Sequence, residues 1–467
     1  MMPATFPVTA HTDYVGPGST FVAIQGLKLD GVSFIPKAIR KGASRIVLHE
    51  DVSLSEELQA LIDAAHVTVE RVSDTRRALA QLSAQAAGYP AQMLTIIGIT
   101  GTKGKTTTTF LIEHLLRHAG IKVARLSTVS NAIDGYVLRA PLTTAQPDYL
   151  HMFFKKCIEQ DVRHVVMEVS AQAVTLGRVD GISFDKVIFT NFSQEHGEFY
   201  TSMQEYFLAK VSLFHQCPQD GNIFVNADDA AGRKILKKNP HFRSFSIQDL
   251  ADVAGSRKGI SFVIKHENVV HTMVCPSLVG SYNVSNLLAA VRVTFALGVD
   301  PKDIQNALKQ PFIVPGRMDR FALANGADCV IDYAHNPASY EAVLSVLREL
   351  YSHVIVVFGA GGERDAAKRP MMGEIAARYA DVVILTSDNP RSEDPQDIIN
   401  DIMKGIVPRK NKHILSELNR EKAIHLAYRL SKQGGVIALL GKGPDEYQEV
   451  QGKKIPFHEK QIISHLC

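Results

Sequence analysis

The sequence predicts an α/β protein of three domains: a small α/β domain, a central domain with a mainly parallel sheet and a P-loop-type phosphate site, and a C-terminal Rossmann-like α/β domain. Three observations predict it. At 467 residues the chain exceeds what one hydrophobic core organises, and roughly 150 residues per domain gives about three domains. Short β-rich apolar runs alternate with longer helical patterns, as α/β architecture requires. The later apolar runs end in polar or glycine-rich residues, which in a parallel sheet collect at the carboxyl edge, where ligands bind.

In the first section, 1–90, FVAIQG and SRIVLHE read as strands flanking the helical stretch IPKAIRKGA, and the section closes near Gly88 to Ala91. The second, 91–314, opens with the buried-strand pattern MLTIIGIT, passes into a glycine loop and continues as the helix TTTTFLIEHLLRHAG, ending at Gly120. HVVMEVS, KVIFTNF and GNIFVNADD repeat the pattern of an apolar strand with a polar end, and NLLAAVRVTFALG is helical. The third, 315–467, begins at Pro315 with the strands CVIDYAH, HVIVVFGAGG, DVVILTSDNP and GVIALLGKG.

Hydrophobic residues at 45% and charged residues at 21% are ordinary for a globular chain and exclude a disordered or fibrous one. The formal charge, 51 minus 48 or +3, gives no reason to expect nucleic acid as a partner, so any anion preference must belong to a local site. Five cysteines without a CxxC pair suggest neither zinc nor a disulfide framework and fit a reducing compartment. No basic start precedes an apolar run at the N-terminus, and no stretch approaches the ~20 apolar residues that cross a bilayer. A cytoplasmic protein without a membrane partner is expected.

GTKGKTT, Gly101–Thr107, lies between a strand and a helix. That order points backbone N–H groups and a helix N-terminus at phosphate. Lys105 is then the group that meets the β- and γ-phosphates, and the Thr106 hydroxyl the one that ligates Mg²⁺. The common form of this loop has a glycine where Ile99 stands. Plain ATP hydrolysis competes with group transfer at this stage.

From here the sequence resembles the Mur ligases, which add amino acids to the peptidoglycan precursor. GTKGKTT is their variant loop, and their motifs follow in order through almost the whole chain. The resemblance implies ATP contacts by Gly101, Thr102, Lys103, Gly104, Lys105, Thr106 and Thr107, and by Asn283 and Asn286 of GSYNVSNLLAA. It adds Arg317 of VPGRMDR, and Asp332 and His335 of DYAHNP. It implies that Thr12, Thr143, Thr144, Ser170 and Arg178 touch the nucleotide-linked peptide, UDP-MurNAc-L-Ala-D-Glu. Loop capping is the plain alternative for the Thr pair, Ser170 and Arg178. Thr106, Glu168 and His196 match metal ligands, and Lys210 matches a lysine that the family carbamylates into a carboxylate-like ligand. From the residue alone, Lys210 reads as a solvated helix lysine. Lys105, Glu168, His196 and Lys210 form the implied catalytic set, with ATP and two Mg²⁺ ions as cofactors.

The third section carries the specificity signal. Arg364 of GGERDAAKRP matches an arginine that binds the added amino acid, and Asp388, Asn389, Pro390 and Arg391 match a hallmark of the diaminopimelate-adding branch. A guanidinium fork suits the second carboxylate of meso-diaminopimelate, which lysine lacks. A structural salt bridge is the alternative for Arg391. Gly441 and Asp445 belong to GKGPD, where the family reads GKGHE, so the carboxylate that meets a substrate amine is one methylene shorter. His11-Thr12-Asp13 stands for DSR, Leu142 for an asparagine, Gln172 for a histidine and Leu176 for a glutamine.

The implied reaction is ATP-dependent amide formation through an acyl phosphate, with domain closure, by a monomer. Competing readings are a lysine-adding enzyme, a more distant three-domain ligase such as folylpolyglutamate or cyanophycin synthetase, and a noncatalytic nucleotide-binding relative.

Overall fold

The computed structural model describes residues 2–26, 29–193, 199–407 and 413–467. The chain folds into two compact units, Met1–Asp249 with Ser285–Ala307, and Leu250–Val284 with Leu308–Cys467.

The first unit contains two sheets. Four strands in sequence order, Val8–Thr9, Thr20–Val22, Arg45–His49 and Thr68–Val72, pair in parallel. Phe21, Ile46 and Leu48 pack on one face of this sheet, and Val22, Val47 and Leu79 on the other. The helix Thr75–Ala87 starts at Asp74, whose carboxylate accepts the N–H groups of Arg76 and Arg77, and stops at Gly88 in the left-handed region (φ 81°). Both signals are local, although the sequence reading places only a section end near Gly88 and not this helix.

The larger sheet has eight strands in the order Arg243–Phe245, Ile223–Asn226, Lys186–Phe189, Thr95–Thr100, His164–Glu168, Val123–Leu126, Asn131–Ile133 and Tyr136–Leu138. The first six are parallel and the last two turn back antiparallel. Thr95–Thr100 lies near the middle, and five of its six residues are buried. Strands covered on both faces become continuous apolar runs, and MLTIIGIT reads that way in sequence.

The second unit is built on a six-stranded sheet ordered Asp319–Ala322, Asp328–Asp332, Val436–Leu440, Val354–Phe358, Val382–Leu385 and His413–Ser416. Only the first pair is antiparallel. The Asn-Pro of DYAHNP opens the helix Pro337–Leu350: Asn336 and Ser339 form a capping box, and proline takes the first turn.

Two antiparallel pieces are absent from the sequence reading. Ala251–Ser256, Gly259–His266 and Val269–Cys275 form a three-stranded meander, and Tyr447–Val450 pairs with Lys453–Pro456 as a hairpin. The meander's second turn runs through Glu267 (φ 47°) and Asn268 (φ 65°), both left-handed. Two such residues suit a tight hairpin, but Glu-Asn lacks the glycine that signals one.

Candidate active site

The loop Gly101–Gly104 leaves the strand Thr95–Thr100 at the carboxyl edge of the eight-stranded sheet, between two neighbours. Ile99 is in register with Glu168 on one side, and Thr100 with Phe189 on the other. Gly101 has φ +139°, and a Cβ there would lie 2.0 Å from Thr190 Oγ1. Gly104 has φ +82°, and its Cβ would lie 2.3 Å from Asn286 Oδ1. Both positions therefore require glycine, for backbone and space alike.

Side chains pin the loop. Asn191 Oδ1 accepts the Lys103 N–H at 2.9 Å, its Nδ2 donates to Lys103 O at 3.1 Å, and Thr190 Oγ1 donates to Lys103 O at 2.6 Å. Lys105 Nζ donates to Gly101 O and Thr102 O at 2.8 and 2.9 Å, so its ammonium lies folded over the loop. Thr108 N–H donates to Gly104 O, which places Lys105, Thr106 and Thr107 in the first helical turn. First-turn N–H groups and the helix dipole of Lys105–His118 suit an anion.

Lys210, on the helix Met203–Val211, is only 1% exposed. This corrects the solvated reading. Its Nζ donates to Gly101 O at 2.7 Å and stands 4.3 Å from the centroid of the Tyr206 ring. Helical pattern alone does not reveal which lysine a neighbouring sheet covers.

Glu168 ends its strand and is buried, with Oε1 accepting the Thr128 N–H at 2.9 Å. A buried carboxylate is tolerated where it is hydrogen-bonded. Around it the peptide-site candidates form a chain. Thr128 Oγ1 lies 2.9 Å from Thr143 Oγ1, Thr144 Oγ1 donates to Glu168 O at 2.9 Å, and Ser170 N–H donates to Thr144 Oγ1 at 3.1 Å. Arg178 Nη1 donates to Thr144 O at 2.9 Å, and burial, helped by Arg76, lowers its pKa. Ser170 also caps the helix Ala171–Thr175, so it has a local structural role as well. Thr12 is buried in the turn Thr12–Tyr14. Just before it, Thr9 Oγ1 and Ala10 N–H donate to Asp148, five and four residues past Thr143 and Thr144. His196 lies outside the described residues.

Asn286 lies against Gly104, with Thr108 Oγ1 at 3.5 Å. Asn283, three residues earlier on the helix Ser281–Ala296, donates to Val279 O at 2.7 Å. The Arg317 guanidinium stands 5.1 Å from the Tyr333 ring, and His335 Nδ1 is 2.8 Å from Tyr333 O. Burial, with Asp445 second, pushes the Tyr333 hydroxyl up to about 12. Asp332 accepts the N–H groups of Met318 and Ala334 at 2.8 and 2.9 Å, so its carboxylate organises the backbone around Arg317.

The remaining candidates assemble at the carboxyl edge of the six-stranded sheet. Arg391 has φ 52°, a strained conformation for a residue with a side chain. It is held by strand-like bonds, Arg391 N–H to Glu449 O at 3.0 Å and Gln451 N–H to Arg391 O at 2.8 Å. Its Nε pairs with Glu449 Oε2 at 3.2 Å, and Nη1 donates to Gly362 O. A Cβ on Gly361 would lie 3.2 Å from Arg391 Nη1 and 3.6 Å from Arg364 Cγ, so the two arginines flank one glycine.

Lys442, missed by the sequence reading, is completely buried beneath them. Its Nζ meets Asp388 Oδ1 at 3.4 Å and Asn389 Oδ1 at 3.1 Å. Burial lowers the Lys442 pKa, with Asp388 opposing. Asn389 Oδ1 also accepts the Glu449 N–H at 2.9 Å, and Gln448 Nε2 donates to Asp388 O at 3.0 Å. Pro390 O crowds Gly362, and Gly441 (φ +106°) would place a Cβ 2.5 Å from Asp388 Oδ2. The Asp445 N–H caps Lys442 O at 3.0 Å, and burial raises its carboxyl pKa against the pull of Lys442. The lysine in GKGPD was a signal available in sequence, but nothing local distinguishes it from a surface lysine.

Comparison with known proteins covers the same elements. Residues 8–87 match the description Mur ligase family, catalytic domain, residues 99–294 the Mur ligase middle domain, and residues 316–443 the Mur ligase glutamate ligase domain. A UDP-N-acetylmuramoyl-L-alanyl-D-glutamate--2,6-diaminopimelate ligase of Clostridium perfringens is 36% identical, covering 96% of this chain and 91% of its own. One of the same name from Aquifex aeolicus is 37% identical over 98% and 93%. A solved structure of that name is 27% identical, with a TM-score of 0.66 over 99% of this chain and 94% of that one.

Proposed function

We propose that this chain, which belongs to the Mur ligase family, is the ATP-dependent ligase that joins 2,6-diaminopimelate to UDP-MurNAc-L-Ala-D-Glu in peptidoglycan synthesis. The observation that carries the amino-acid assignment is the pair of arginines, Arg364 and Arg391, about Gly361. Two guanidinium groups suit an incoming amino acid with two carboxylates.

The D-glutamate carboxylate attacks the γ-phosphate of ATP, giving an acyl phosphate and ADP. A diaminopimelate amine then attacks the acyl carbon and phosphate leaves. Lys105 and the first-turn amides offset charge that grows on the transferred phosphoryl group. Gly101, Thr102, Lys103, Gly104, Thr107 and Asn286 shape that cradle, and Asn283, Arg317, Asp332 and His335 are assigned to the same nucleotide. Thr12, Thr143, Thr144, Ser170 and Arg178 are assigned to the peptide, whose carboxylate Arg178 is suited to attract. Asp388, Asn389, Pro390, Gly441 and Asp445 hold the amino acid with the two arginines.

Mg²⁺ takes hard oxygen ligands. Glu168 and the Thr106 hydroxyl supply that chemistry, and carbamylation would replace the Lys210 ammonium by an N–H bearing two carboxylate-like oxygens. A carbamate on Lys210, and His196, which lies outside the described residues, complete the proposed set. When bound, the ion would neutralise phosphate charge.

The division 1–90, 91–314 and 315–467, the monomeric state and the cytoplasmic location belong to the same reading. Among the described residues no helix is long and apolar enough to cross a membrane.

ADP release in the presence of the UDP-dipeptide tests the function. Release with meso-diaminopimelate and none with L-lysine is expected. Release with lysine alone would overturn the assignment, and release with neither would favour a binding-only relative.

A further inference from the structure

We propose that Glu449 is a specificity-determining residue of the amino-acid site: with Arg391 it forms a charge pair that reads a carboxylate and an ammonium on one carbon, the far end of the diamino acid. The inference rests on the ligase reading above and goes beyond it by adding a residue and a substrate group.

Arg391 uses two positions of its guanidinium within the protein, Nε to Glu449 Oε2 at 3.2 Å and Nη1 to Gly362 O. Among the described residues Nη2 has no partner, so the end-on edge remains for a carboxylate. Glu449 is fixed through its backbone on both sides, by Asn389 Oδ1 on its N–H and Arg391 N–H on its carbonyl. Its Oε2 holds Arg391, and its Oε1 has no hydrogen-bond partner among the described residues. An acceptor therefore stands beside the free edge of a carboxylate receptor. An α-amino acid terminus, with carboxylate and ammonium on the same carbon, has the complementary charge pair.

Charge counting leads to the same group. Arg364 and Arg391 flank Gly361, and Asp445 and Glu449 lie in the segment from Gly441 to Val450 that packs against Asp388–Arg391. Lys442 is taken up by Asp388 and Glu446 lies in the same segment, so two arginines and a surplus of carboxylates face a substrate with two carboxylates and two amino groups. An arginine alone would accept any terminal carboxylate. The Arg391 and Glu449 side chains are 20% and 27% exposed, so the pair is not sealed from a bound molecule.

The probe is 2-aminopimelate, which keeps the reacting amino-acid end and the terminal carboxylate but lacks the far ammonium. The wild-type protein is expected to prefer meso-diaminopimelate by ~10-fold or more in kcat/KM, because an unpaired polar group in the site penalises the analogue. Glu449→Gln should raise KM for diaminopimelate by ~10-fold and change 2-aminopimelate by about 2-fold at most, removing a charge-assisted bond only where an ammonium exists. Glu449→Asp should restore part of the preference, and KM for ATP should not move in either variant. Equal losses on both amino acids would assign Glu449 to positioning Arg391 alone and overturn the proposal. So would wild-type indifference to the far ammonium. No ADP release from the wild-type protein with any amino acid would instead overturn the ligase reading on which the proposal rests.

Discussion

The loops Gly101–Gly104 and Asp388–Arg391 both leave the carboxyl edge of a parallel sheet, yet they are held by different means. The first is shaped chiefly by its own glycines, two positive φ angles and a helix beginning at once, with the Thr190 and Asn191 side chains pinning Lys103. The second keeps a non-glycine residue at φ 52°, and a buried lysine and a hairpin some sixty residues further on hold it there. A loop built from backbone properties carries its signature in a few consecutive letters. A loop built from distant side chains does not.

The contrast can be broken at four points, from the largest expected effect to the smallest. Lys105→Ala should lower the rate of ADP formation by ~10²–10³-fold, as loss of a preorganised charge at a developing anion does. Circular dichroism should show the fold unchanged, because the loop keeps its glycines and its bonds to Thr190 and Asn191. Retained ADP formation would remove the loop from phosphate chemistry.

Lys442→Met should instead act on stability, costing about 3 kcal/mol by leaving Asp388 buried without its cation. Thermal unfolding should show part of that loss recovered when Asp388→Asn is added to Lys442→Met, since an amide needs no charge partner. Equal Tm values for Lys442→Met and the wild type would show that the second loop does not depend on its buried lysine.

The third point concerns pH and separates the two units. Burial holds His151, in the first unit, down to about 4 from an ordinary 6.5. Its folded pKa is depressed and the imidazole is a base, so the unfolded chain binds more protons between those values. Stability is unaffected above 6.5 and falls as pH drops through that window, by about 2 kcal/mol at pH 5. Unfolding of His151→Gln between pH 7 and pH 5 should lack this part of the loss. An unchanged slope would mean that His151 is not buried neutral.

Arg391→Lys is the mildest. Replacing a fork by a point charge should raise KM for diaminopimelate by ~10-fold while KM for ATP stays put. A shift in both constants would tie the amino-acid loop to the nucleotide.

The strands MLTIIGIT, HVVMEVS and CVIDYAH, and the helix beginning at Lys105, were legible because apolar runs and a glycine loop ahead of a helix are local signals. The meander from Ala251 to Cys275 was not, since one face is solvated and its Glu-Asn turn lacks a glycine. Among the candidate residues, Thr143, Thr144, Glu168, Ser170 and Arg178 lie on one hydrogen-bonded chain. Lys210 reads as solvated from its helix yet is buried against Gly101 and Tyr206. Lys442 and Glu449 escaped notice altogether.

By itself the sequence determined the apolar strands of the two large sheets and the glycine loop between MLTIIGIT and its helix, because backbone conformation and apolar period are written in neighbouring residues. Only the tertiary structure decided which charges are buried and with whom they pair. Lys210 facing Gly101, Lys442 beneath Asp388 and Glu449 beside Arg391 are 109, 54 and 58 residues apart in the chain. A charge acquires its partner and its desolvation from the fold, and neither quantity exists in the chain before it folds.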